Sequence, residues 1–593
     1  MPGADPPAHQ RAARLLAATL RPEVRALAGI VAVLLVAMGL RLCLPVLLGF
    51  FADEALGGAG TEVLTRLAGA YVAAALTAHL LDLAVVWAAA RVSWRVGNAL
   101  RERLAAHALR LEQAWHGRHS PGQLIERIDG DVEAMAVFFA GIAVHLVGNV
   151  VLVAGMVVVA TAIDPWTGLA LGVTALVGAA VMVRLRMSAV SAREAEREVN
   201  AQLYGDLEER LGGLEDLRAN GAGAYAVHRL QGHSARSWAA ARYASLRGDG
   251  AYAAAAMVFG VGTAVTLGVG IFLQSRGVIT VGAVLTLYRY ADMLRQPLER
   301  IAEQLKEFQK AMAGARRAST LLATEPAIAD GPDDGASLAD GALAVDFDAV
   351  SFSYDGRVLA VRSVELHLAA GTHLGVVGRT GSGKTTLGRL LARFRDPDAG
   401  GVRIGGVDVS DLTLAALRNR VAVVTQDVEL FRASVRDNLT LFGTRDANDD
   451  ELVAVLERMR LGSWFAALPA GLDTVLDGAQ GLSAGEGQLL AFARALLADP
   501  SVVVLDEASS RLDPLTEIRI GDATRTLLTG RTALIIAHRL DTLARVDEIA
   551  VVEAGRVVEH GPRVELALRP TGRYARLVRA ARAADDDVEE VIA

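Results

Sequence analysis

The sequence predicts a chain of two parts, a bundle of six membrane-spanning helices followed by an α/β domain. Hydrophobic residues make up 52% of the 593 residues, which is too apolar for an ordinary soluble protein. This apolar excess is concentrated before about residue 300. From residue 343 onward, short β-branched strands alternate with helices, as in a domain with a largely parallel sheet. The length also suits more than one domain.

Six stretches are apolar and long enough to cross a bilayer, which requires about 20 helical residues. The first stretch follows several arginines, is too long for a signal-peptide core and has no evident cleavage site. One such stretch alone could be a buried core helix, but six of them favour a membrane domain. The predicted spans are approximately residues 27–51, 67–90, 134–162, 166–183, 251–273 and 278–294.

The charge of the connections predicts how the spans are oriented. The connection after the second span carries a series of arginines from Arg91 to Arg127, whereas the opposite loops carry little beyond Arg66 and Arg276. Positive charge is retained on the cytoplasmic side, so both termini and both long connections face the cytoplasm. These connections are helical in pattern, which predicts long cytoplasmic extensions of the spans. Their charged tips lie near residues 120–131 and 204–215.

Several ionisable side chains lie within the predicted spans. Such groups are costly in a bilayer and usually face a bundle interior or a cavity. They either line a substrate path or pair between helices and near the interface. Two of them are three residues apart on one helix face and can pair with each other. The residues are Arg41, His79, Asp82, His145, Arg289 and Asp292.

Charge and cysteine content exclude several classes of function. The formal net charge of −7 does not favour nucleic-acid binding, which usually requires a basic patch. Cys43 is the only cysteine, so disulfide scaffolds and cysteine-ligated zinc are excluded.

A glycine-rich segment in the α/β part has the pattern of a phosphate-binding loop. It follows an apolar strand at 373–377 and precedes a helical pattern, the context that this motif requires. Its glycines let backbone N–H groups surround phosphate oxygens, Lys384 reaches the β- and γ-phosphates, and the Thr385 hydroxyl is placed to hold Mg²⁺. Lysine occurs only three times in the chain, which marks position 384 as one that arginine cannot fill. The loop comprises Gly378, Arg379, Thr380, Gly381, Ser382, Gly383, Lys384, Thr385 and Thr386.

Companion residues occur before and after the loop. Tyr354 lies upstream, where its ring can stack on adenine, and Gln426 closes the strand at 421–425, where it can reach a metal or water. The stretch at 482–486, Leu-Ser-Ala-Gly-Glu, opens a long helix and presents a hydroxyl and free N–H groups at its positive end. His538 follows a strand at 532–537.

Two carboxylates end a hydrophobic strand at 502–505. Chemistry separates their roles, because one group must hold the Mg²⁺ shell and the other must polarise the attacking water. Asp506 suits the metal role and Glu507 the role of general base.

In this order and spacing, the elements resemble the nucleotide-binding domain of ATP-binding cassette (ABC) transporters. The whole chain resembles an exporter-type half-transporter over roughly residues 20–580. The resemblance implies a six-helix α-helical transmembrane domain with long cytoplasmic helical extensions, followed by an α/β P-loop ATPase domain. It also implies that the charged tips are coupling helices. The implied motifs are the A-loop at Tyr354, Walker A at 378–386, the Q-loop at Gln426, the signature at 482–486, Walker B at 502–507, the D-loop at Asp513 and the switch histidine His538.

The resemblance implies a dimer. In the family, each ATP lies between the Walker A loop of one cassette and the signature of another, where Ser483 and Gly485 would contact the γ-phosphate. This chain has one of each element, so it requires a second half-transporter.

The signature departs from the family pattern at two positions. Ala484 stands where glycine is usual and Glu486 where glutamine is usual, and the preceding residues 477–481 lack the glutamate common in this loop. In heteromeric relatives, an altered signature pairs with a partner whose catalytic base is missing, whereas this chain retains its own base. Homodimer and heterodimer both remain open.

The resemblance implies an ATPase in the cytoplasmic membrane that uses ATP and Mg²⁺ to export an amphipathic small molecule, lipid, drug or peptide. Exporter-fold import, as in siderophore uptake, and a non-transporting ATP-gated ATPase are the alternatives. The expected partners are a second half-transporter, the lipid bilayer and the cargo, with no nucleic acid. The predicted domains are an N-terminal segment at 1–22, the membrane domain at 23–315, a linker at 316–342, the nucleotide-binding domain at 343–580 and an acidic tail at 581–593.

Overall fold

The computed structural model of the protein describes residues 8–426, 428–477, 482–506, 514–537 and 543–580. These residues divide into two compact units. The membrane unit comprises the described residues up to Leu111 and from His116 to Glu325. The nucleotide unit comprises Glu112–Trp115 and the described residues from Pro326 onward.

The membrane unit is entirely helical in its regular structure among the described residues. Two π-helical segments, Glu126–Gly130 and Ile142–Val147, interrupt the α-helical path between residues 121 and 163. The α-helices before Pro326 are α1 (Ala8–Leu20), α2 (Val24–Leu56), α3 (Thr61–Ala108), α4 (Gln113–His116), α5 (Pro121–Ile125), α6 (Asp131–Gly141), α7 (Gly148–Ile163), α8 (Pro165–Gly212), α9 (Leu214–Ala219), α10 (Gly223–Ser275), α11 (Val281–Met293) and α12 (Arg295–Leu322). Of these, α4 lies mostly in the nucleotide unit.

Five helical segments of the described chain are long and apolar enough to cross a membrane. They agree with the first five predicted spans. The segments are His9–Leu56, Thr61–Ala108, His145–Ile163, Pro165–Arg184 and Gly223–Ser275.

The sixth predicted span corresponds to a shorter helix than expected. α11 has only 13 residues, but Leu294 keeps a right-handed helical backbone and α12 continues from it. Pro297 has no N–H to donate to the Met293 carbonyl, which accounts for the interruption at this point. The sixth helix is therefore α11 extended by α12.

The long cytoplasmic extensions are present. α3, α8 and α10 contain 48, 48 and 53 residues. At 1.5 Å per residue such helices are about 70–80 Å long, against a hydrocarbon core of about 30 Å. Most of each helix therefore extends beyond the bilayer, as the fold class requires.

Helices α2 and α11 approach each other through glycines. A Cβ atom on Gly282 would lie 2.0 Å from the Gly49 carbonyl oxygen, and one on Gly49 would lie 2.5 Å from the Gly282 carbonyl oxygen. Small residues permit such close backbone contact between membrane helices. The Tyr290 hydroxyl donates to the Leu42 carbonyl at 2.6 Å, so polar groups of α11 also bond to the backbone of α2.

The ionisable residues of the spans are mostly paired. Arg41 of α2 forms an ion pair with Asp82 of α3, and His79 Nδ1 lies 4.0 Å from Asp82 Oδ2. Arg289 donates to Asp292 at 3.3 Å on the same helix, as the sequence spacing predicted. Pairing lowers the cost of placing these charges among apolar helices.

A charged cluster joins α8 to α10 near the predicted tip at 204–215. Asp206 accepts hydrogen bonds from Arg210 at 2.7 and 2.8 Å and from Arg229 of α10 at 3.3 Å. These bonds, chiefly those from Arg210, hold the pKa of Asp206 well below its usual range. The carboxylate therefore stays ionised and ties the two helices at physiological pH.

The nucleotide unit contains two sheets. The four-stranded sheet is antiparallel, in the order β2-β1-β4-β5. The six-stranded sheet has the order β10-β9-β3-β8-β7-β6 and is parallel except for β10. The strands are β1 (Val345–Ser353), β2 (Leu359–Leu368), β3 (His373–Val377), β4 (Ala399–Ile404), β5 (Val407–Asp408), β6 (Val421–Val424), β7 (Val502–Asp506), β8 (Thr532–Ile536), β9 (Glu548–Glu553) and β10 (Arg556–Pro562).

The six-stranded sheet positions the predicted site. Strands β3, β7 and β8 are buried and parallel, so their carboxyl ends meet at one edge, where ligands bind in such folds. The accompanying helices are α13 (Lys384–Leu391), α14 (Leu414–Arg420), α15 (Val435–Thr440), α16 (Asp449–Arg458), α17 (Gly462–Ala466), α18 (Ala484–Leu497), α19 (Pro514–Leu528) and α20 (Arg563–Leu568).

The predicted linker at 316–342 begins earlier than the structure places it. α12 continues to Leu322, because alanines on one face of the helix, including Ala315 and Ala318, are fully buried. Residues 326–342 are bonded to the nucleotide unit; for example, Arg393 Nη2 donates to the Ala329 carbonyl at 2.9 Å. The described units divide between Glu325 and Pro326.

The glycine contact between α2 and α11 predicts the effect of Gly282→Val. The added side chain would meet the Gly49 backbone, so we expect overpacking to cost roughly 1–3 kcal/mol. Thermal unfolding of the purified protein should show a Tm several degrees lower. Gly268→Val is the matched control, since a Cβ on Gly268 of α10 meets no atom within 4 Å. Equal Tm values for the two variants would contradict the conclusion that close packing of α2 and α11 requires glycine at position 282.

Candidate nucleotide-binding site

The phosphate loop connects β3 to α13 through glycines with unusual backbone angles. Gly378, Gly381 and Gly383 have φ angles of +154°, +79° and +106°. Side chains disfavour this left-handed region, whereas glycine adopts it readily. The loop can therefore turn its N–H groups inward only because glycine stands at these positions.

Two of these glycines are also required for space. A Cβ atom on Gly378 would lie 2.1 Å from the Val552 carbonyl oxygen of β9. One on Gly383 would lie 2.5 Å from the Ala360 carbonyl oxygen of β2. Neighbouring strands thus hold the loop tightly against the sheet.

Lys384 is almost fully buried at the start of α13. Its side chain is 4% exposed, and Nζ donates to the carbonyls of Gly378 at 2.7 Å and Arg379 at 3.1 Å. These bonds hold the ammonium group above the loop. A buried cation in this position provides the charge that a phosphate requires.

Ser382 provides independent support for a ligand within the loop. Its Oγ is buried and has no hydrogen-bond partner among the described residues. An unmade bond of this kind costs about 1–3 kcal/mol. A phosphate oxygen bound in the loop would satisfy the hydroxyl, so the residues present fit a nucleotide phosphate.

Thr385 and Asp506 meet at the carboxyl edge of the sheet. Thr385 Oγ1 lies 3.4 Å from Asp506 Oδ1, although the residues are 121 positions apart. Mg²⁺ in nucleotide sites is held by one or two such oxygen groups together with phosphates. Within the described ranges, no cluster of three or more His, Cys, Asp or Glu residues could hold a metal alone. The pair therefore fits a Mg²⁺ ion that binds with the nucleotide.

Tyr354 lies beside the phosphate loop. Its hydroxyl is 3.1 Å from Thr386 Oγ1 and accepts a bond from Arg389 at 3.3 Å. The Arg395 guanidinium lies 5.6 Å from the ring centroid. Neither arginine was predicted from the sequence, although Arg389 is three residues after Thr386 and so shares its helix face.

Gln426 lies beyond the end of β6. The strand ends at Val424, one residue earlier than predicted, and Gln426 is exposed. Because β6 pairs with β7 in parallel, with Val424 opposite Leu505, Gln426 and Asp506 leave the sheet at the same edge.

The predicted signature forms the beginning of α18. Ser483 is the N-cap, and its hydroxyl accepts the Glu486 N–H at 3.2 Å. In return, Glu486 Oε2 accepts the Ser483 backbone N–H and hydroxyl, both at 2.9 Å. This capping box stabilises the helix start and places a carboxylate at its positive end.

The capping box changes what this helix end offers to a ligand. The Ser483 hydroxyl proton is committed to Glu486, and a phosphate approaching the N-terminus would meet the negative carboxylate. Glutamine at position 486 could make similar bonds without the charge. The departure at 486 therefore introduces an anion that competes with phosphate, whereas Ala484 simply begins the helix.

Gly485 also has a packing role that the sequence analysis missed. A Cβ atom there would lie 2.0 Å from Thr516 Cγ2 of α19. The glycine is thus required where α18 approaches α19.

A second missed feature links α18 to the segment after Gln426. Arg494 donates to the Asn438 carbonyl and side chain, both at 2.6 Å, and to the Glu429 carbonyl at 2.7 Å. Asn438 is fully buried and donates to the Phe431 carbonyl at 2.9 Å. The signal in the sequence was an arginine on the apolar side of α18. These bonds make the signature helix and the segment after Gln426 one packed element.

Several predicted residues lie outside the described residues. They are Glu507, Asp513, His538 and the loop residues 478–481. Strand β7 ends at Asp506, immediately before Glu507. The roles given to these residues stay predictions.

Comparison with protein families and solved structures is consistent with the two units. Residues 361–510 match the ABC transporter family, and residues 27–298 match the ABC transporter transmembrane region. The chain is 30% identical over 554 residues to an uncharacterised ABC transporter ATP-binding protein, YknV, of Bacillus subtilis, covering 92% of this chain and 90% of that protein. It is 31% identical over 522 residues to the ATP-dependent lipid A-core flippase of Dechloromonas aromatica, covering 87% of each chain.

The solved structure of a bacterial Atm1-family ABC exporter with ATP bound has a similar fold. It superposes with a TM-score of 0.77 at 25% identity, covering 94% of this chain and 98% of that one.

The capping box predicts the effect of Glu486→Gln. The amide keeps the cap but removes the charge that opposes phosphate, so we expect the KM for ATP to fall by about three- to tenfold, or roughly 0.6–1.4 kcal/mol. Steady-state ATP hydrolysis measures this. Glu451→Gln is the control, because Glu451 closes an equivalent capping box with Asn448 on α16. A KM unchanged in both variants would contradict the competing-anion interpretation.

Proposed function

This chain belongs to the ABC transporters that join a transmembrane and an ATP-binding domain in one polypeptide, and we propose that it forms half of an exporter of lipid-like amphiphiles in the cytoplasmic membrane. It is a multi-pass membrane protein whose ATP hydrolysis is coupled to transport. The relative named as a lipid A-core flippase supports a lipid-like cargo, and the exporter of similar fold supports the direction of transport.

The observation that carries the proposal is the arrangement of the nucleotide site. A glycine loop with a buried lysine and an unsatisfied serine hydroxyl faces the Thr385–Asp506 pair at the sheet edge. The same chain has one signature helix, α18. Since family members bind each ATP between a loop and a partner's signature, we infer that two chains make two sites.

Within this site, each residue has a distinct proposed role. Lys384 exchanges its loop carbonyls for the β- and γ-phosphates, and Tyr354 stacks on adenine. Thr385, Asp506 and Gln426 would hold Mg²⁺, which neutralises charge on the phosphates. Glu507 polarises the attacking water.

The remaining roles concern the partner chain and the γ-phosphate. His538 senses the γ-phosphate, and Asp513 communicates across the dimer. Ser483 and Gly485 contact the γ-phosphate of the nucleotide held by the other chain, with Glu486 opposing them. ATP drives the cycle because it binds the closed dimer more tightly than the open one.

The second half-transporter is either an identical chain or a different one. The Glu486 carboxylate supports a heterodimer, since it weakens the signature that serves the partner's nucleotide. Purification from native membranes through a single affinity tag, followed by mass spectrometry of the complex, distinguishes the two assemblies.

Replacement of the proposed base gives the test of the ATPase mechanism. Glu507→Gln should lower ATP hydrolysis by about 100-fold or more while ATP still binds, since only the polarisation of water is lost. ATP should then trap a closed dimer, which can be detected by cross-linking between cysteines introduced into the two nucleotide-binding domains. The control is Glu553→Gln, which alters a glutamate at the end of β9. Undiminished hydrolysis in the Glu507 variant would refute the base assignment.

Transport is tested in inside-out membrane vesicles, with ATP added to the external medium. ATP-dependent accumulation of a fluorescent phospholipid analogue on the luminal side is expected, and it should be lost in Lys384→Ala. Movement in the opposite direction would favour the import alternative, whereas hydrolysis without movement of any tested amphiphile would favour a non-transporting ATPase.

A further inference from the structure

The first charged tip, residues 120–131, is attached to the rest of the membrane unit through its last residue. Ser120 begins the tip by accepting the Gln123 N–H at 3.3 Å, and neither α5 nor the π-helical segment Glu126–Gly130 contains a buried residue. Asp131, which begins α6, is by contrast only 2% exposed. Acidic residues are almost never fully buried unless they are paired, so this carboxylate requires a cation beside it.

The cation is Arg317 of α12. Its Nε donates to Asp131 Oδ2 at 2.9 Å, and its Nη2 donates to Oδ1 of the same carboxylate. The two residues are 186 positions apart in the chain. A bidentate bond between a guanidinium and a carboxylate fixes the relative orientation of its partners as well as their distance. The pair therefore sets how the end of the tip meets α12.

Close backbone packing reinforces this attachment. A Cβ atom on Gly314 of α12 would lie 2.9 Å from the Asp131 carbonyl oxygen and 3.2 Å from Asp131 Cβ. Gly314 lies three residues before Arg317, so the two positions are neighbours on the surface of the helix. α12 thus holds Asp131 by its backbone as well as by its carboxylate, and the start of α6 is seated directly against α12.

A second arginine holds the same tip from another side. Arg101 Nε of α3 donates to Asp129 Oδ1 at 2.7 Å. Asp129 lies two residues before Asp131, and residues two apart point to nearly opposite sides of a helix. The Asp129 side chain is 61% exposed, and exposed ion pairs contribute little, whereas the Asp131 carboxylate is buried. The firmer attachment of the tip is therefore the one to α12.

α12 also connects the sixth helix to the nucleotide unit. It follows α11, and the chain passes from its end at Leu322 into the nucleotide unit at Pro326. Arg317 lies five residues before this end. The bidentate pair and the backbone contact leave no flexible segment between α12 and Asp131. Any displacement that the nucleotide unit imparts to α12 therefore reaches the tip and α6 as well.

We propose that Arg317 is a positioning residue for ATP-coupled transport, which locks the first charged tip and the start of α6 to α12 so that the three move as one body. The proposal rests on the proposed function, since it requires that ATP hydrolysis drives transport in this chain. Arg317 acts through Asp131 and belongs to the membrane unit, whereas the phosphate loop belongs to the nucleotide unit. Its replacement therefore leaves ATP binding unchanged and lowers the efficiency of coupling.

Coupling is measured as the fluorescent phospholipid analogue transported per ATP hydrolysed in proteoliposomes of the purified complex. We expect Arg317→Gln to lower this ratio at least fivefold with the KM for ATP unchanged, and Arg317→Lys to retain part of it, since an ammonium cannot form the bidentate bond. Asp131→Asn should give the same defect, and the double variant should be no worse, because both changes remove one interaction. Arg316→Gln is the matched control, since Arg316 is the adjacent exposed arginine and has no ion pair among the described residues.

Spin labels measure the attachment itself and do not depend on the cargo. Gln123→Cys in the tip and Thr320→Cys on α12 place labels at exposed positions, in a Cys43→Ser background that removes the native thiol. Labelled chains are diluted with unlabelled chains, so that double electron–electron resonance reports distances within one chain. We expect one narrow distance distribution that is the same with and without AMP-PNP and Mg²⁺. It should broaden in Arg317→Gln and stay narrow in Arg316→Gln.

A distribution that shifts in the otherwise unaltered chain when AMP-PNP binds would show that the tip moves against α12 and would overturn the proposal. A narrow distribution in Arg317→Gln, or an unchanged transport ratio in that variant, would overturn it as well. A complex that hydrolyses ATP but moves no phospholipid analogue, even with Arg317 in place, would contradict the proposed function alone. The spin-label distances would then still decide whether Arg317 holds the tip to α12.

Discussion

The nucleotide site depends on the parallel pairing of buried strands in the six-stranded sheet. Strand β8 separates β3 from β7, with Val376 opposite Ile536 and Leu505 opposite Ile535. This register brings the loop after β3 and Asp506 of β7 to one edge. The 3.4 Å distance between Thr385 and Asp506 is therefore a consequence of strand packing over 121 residues of chain. The proposed roles of the loop and of the metal ligands Thr385 and Asp506 follow from this edge.

Electrostatics differ at the two helix starts that would contact ATP. At α13 the helix dipole and Lys384 both favour an anion, and the buried Ser382 hydroxyl has no hydrogen-bond partner among the described residues. At α18 the helix dipole is already offset by the Glu486 carboxylate, which accepts a hydrogen bond from the Ser483 hydroxyl. One chain thus combines a phosphate loop whose helix start favours an anion with a second helix start that already carries a carboxylate. This asymmetry explains why the identity of the second chain matters for this transporter.

Polar groups of the membrane unit have two kinds of environment. Arg41 and Asp82 pair across α2 and α3, and the Tyr290 hydroxyl bonds to the backbone of α2, so these groups stabilise helix packing. His145 Nδ1 and Gln304 Oε1 are instead buried without a hydrogen-bond partner among the described residues, and His145 lies in a π-helical segment. Membrane interiors make such unsatisfied groups costly.

The sequence by itself determined the class of fold, the order of the two units and the residues of the phosphate loop. These features are encoded locally, by the length of the apolar stretches, the charge of the connections between them and the spacing of the loop glycines. Each of these depends on residues that are close together in the chain. Only the tertiary structure decided that α12 replaces the start of the predicted linker, that Arg494 binds Asn438 and that the Gln304 amide packs against Gly141. The capping box of Ser483 and Glu486 is formed by neighbouring residues, but it can be identified only once the start of α18 is known. Contacts between residues far apart in the chain follow from packing geometry, which sequence spacing does not specify.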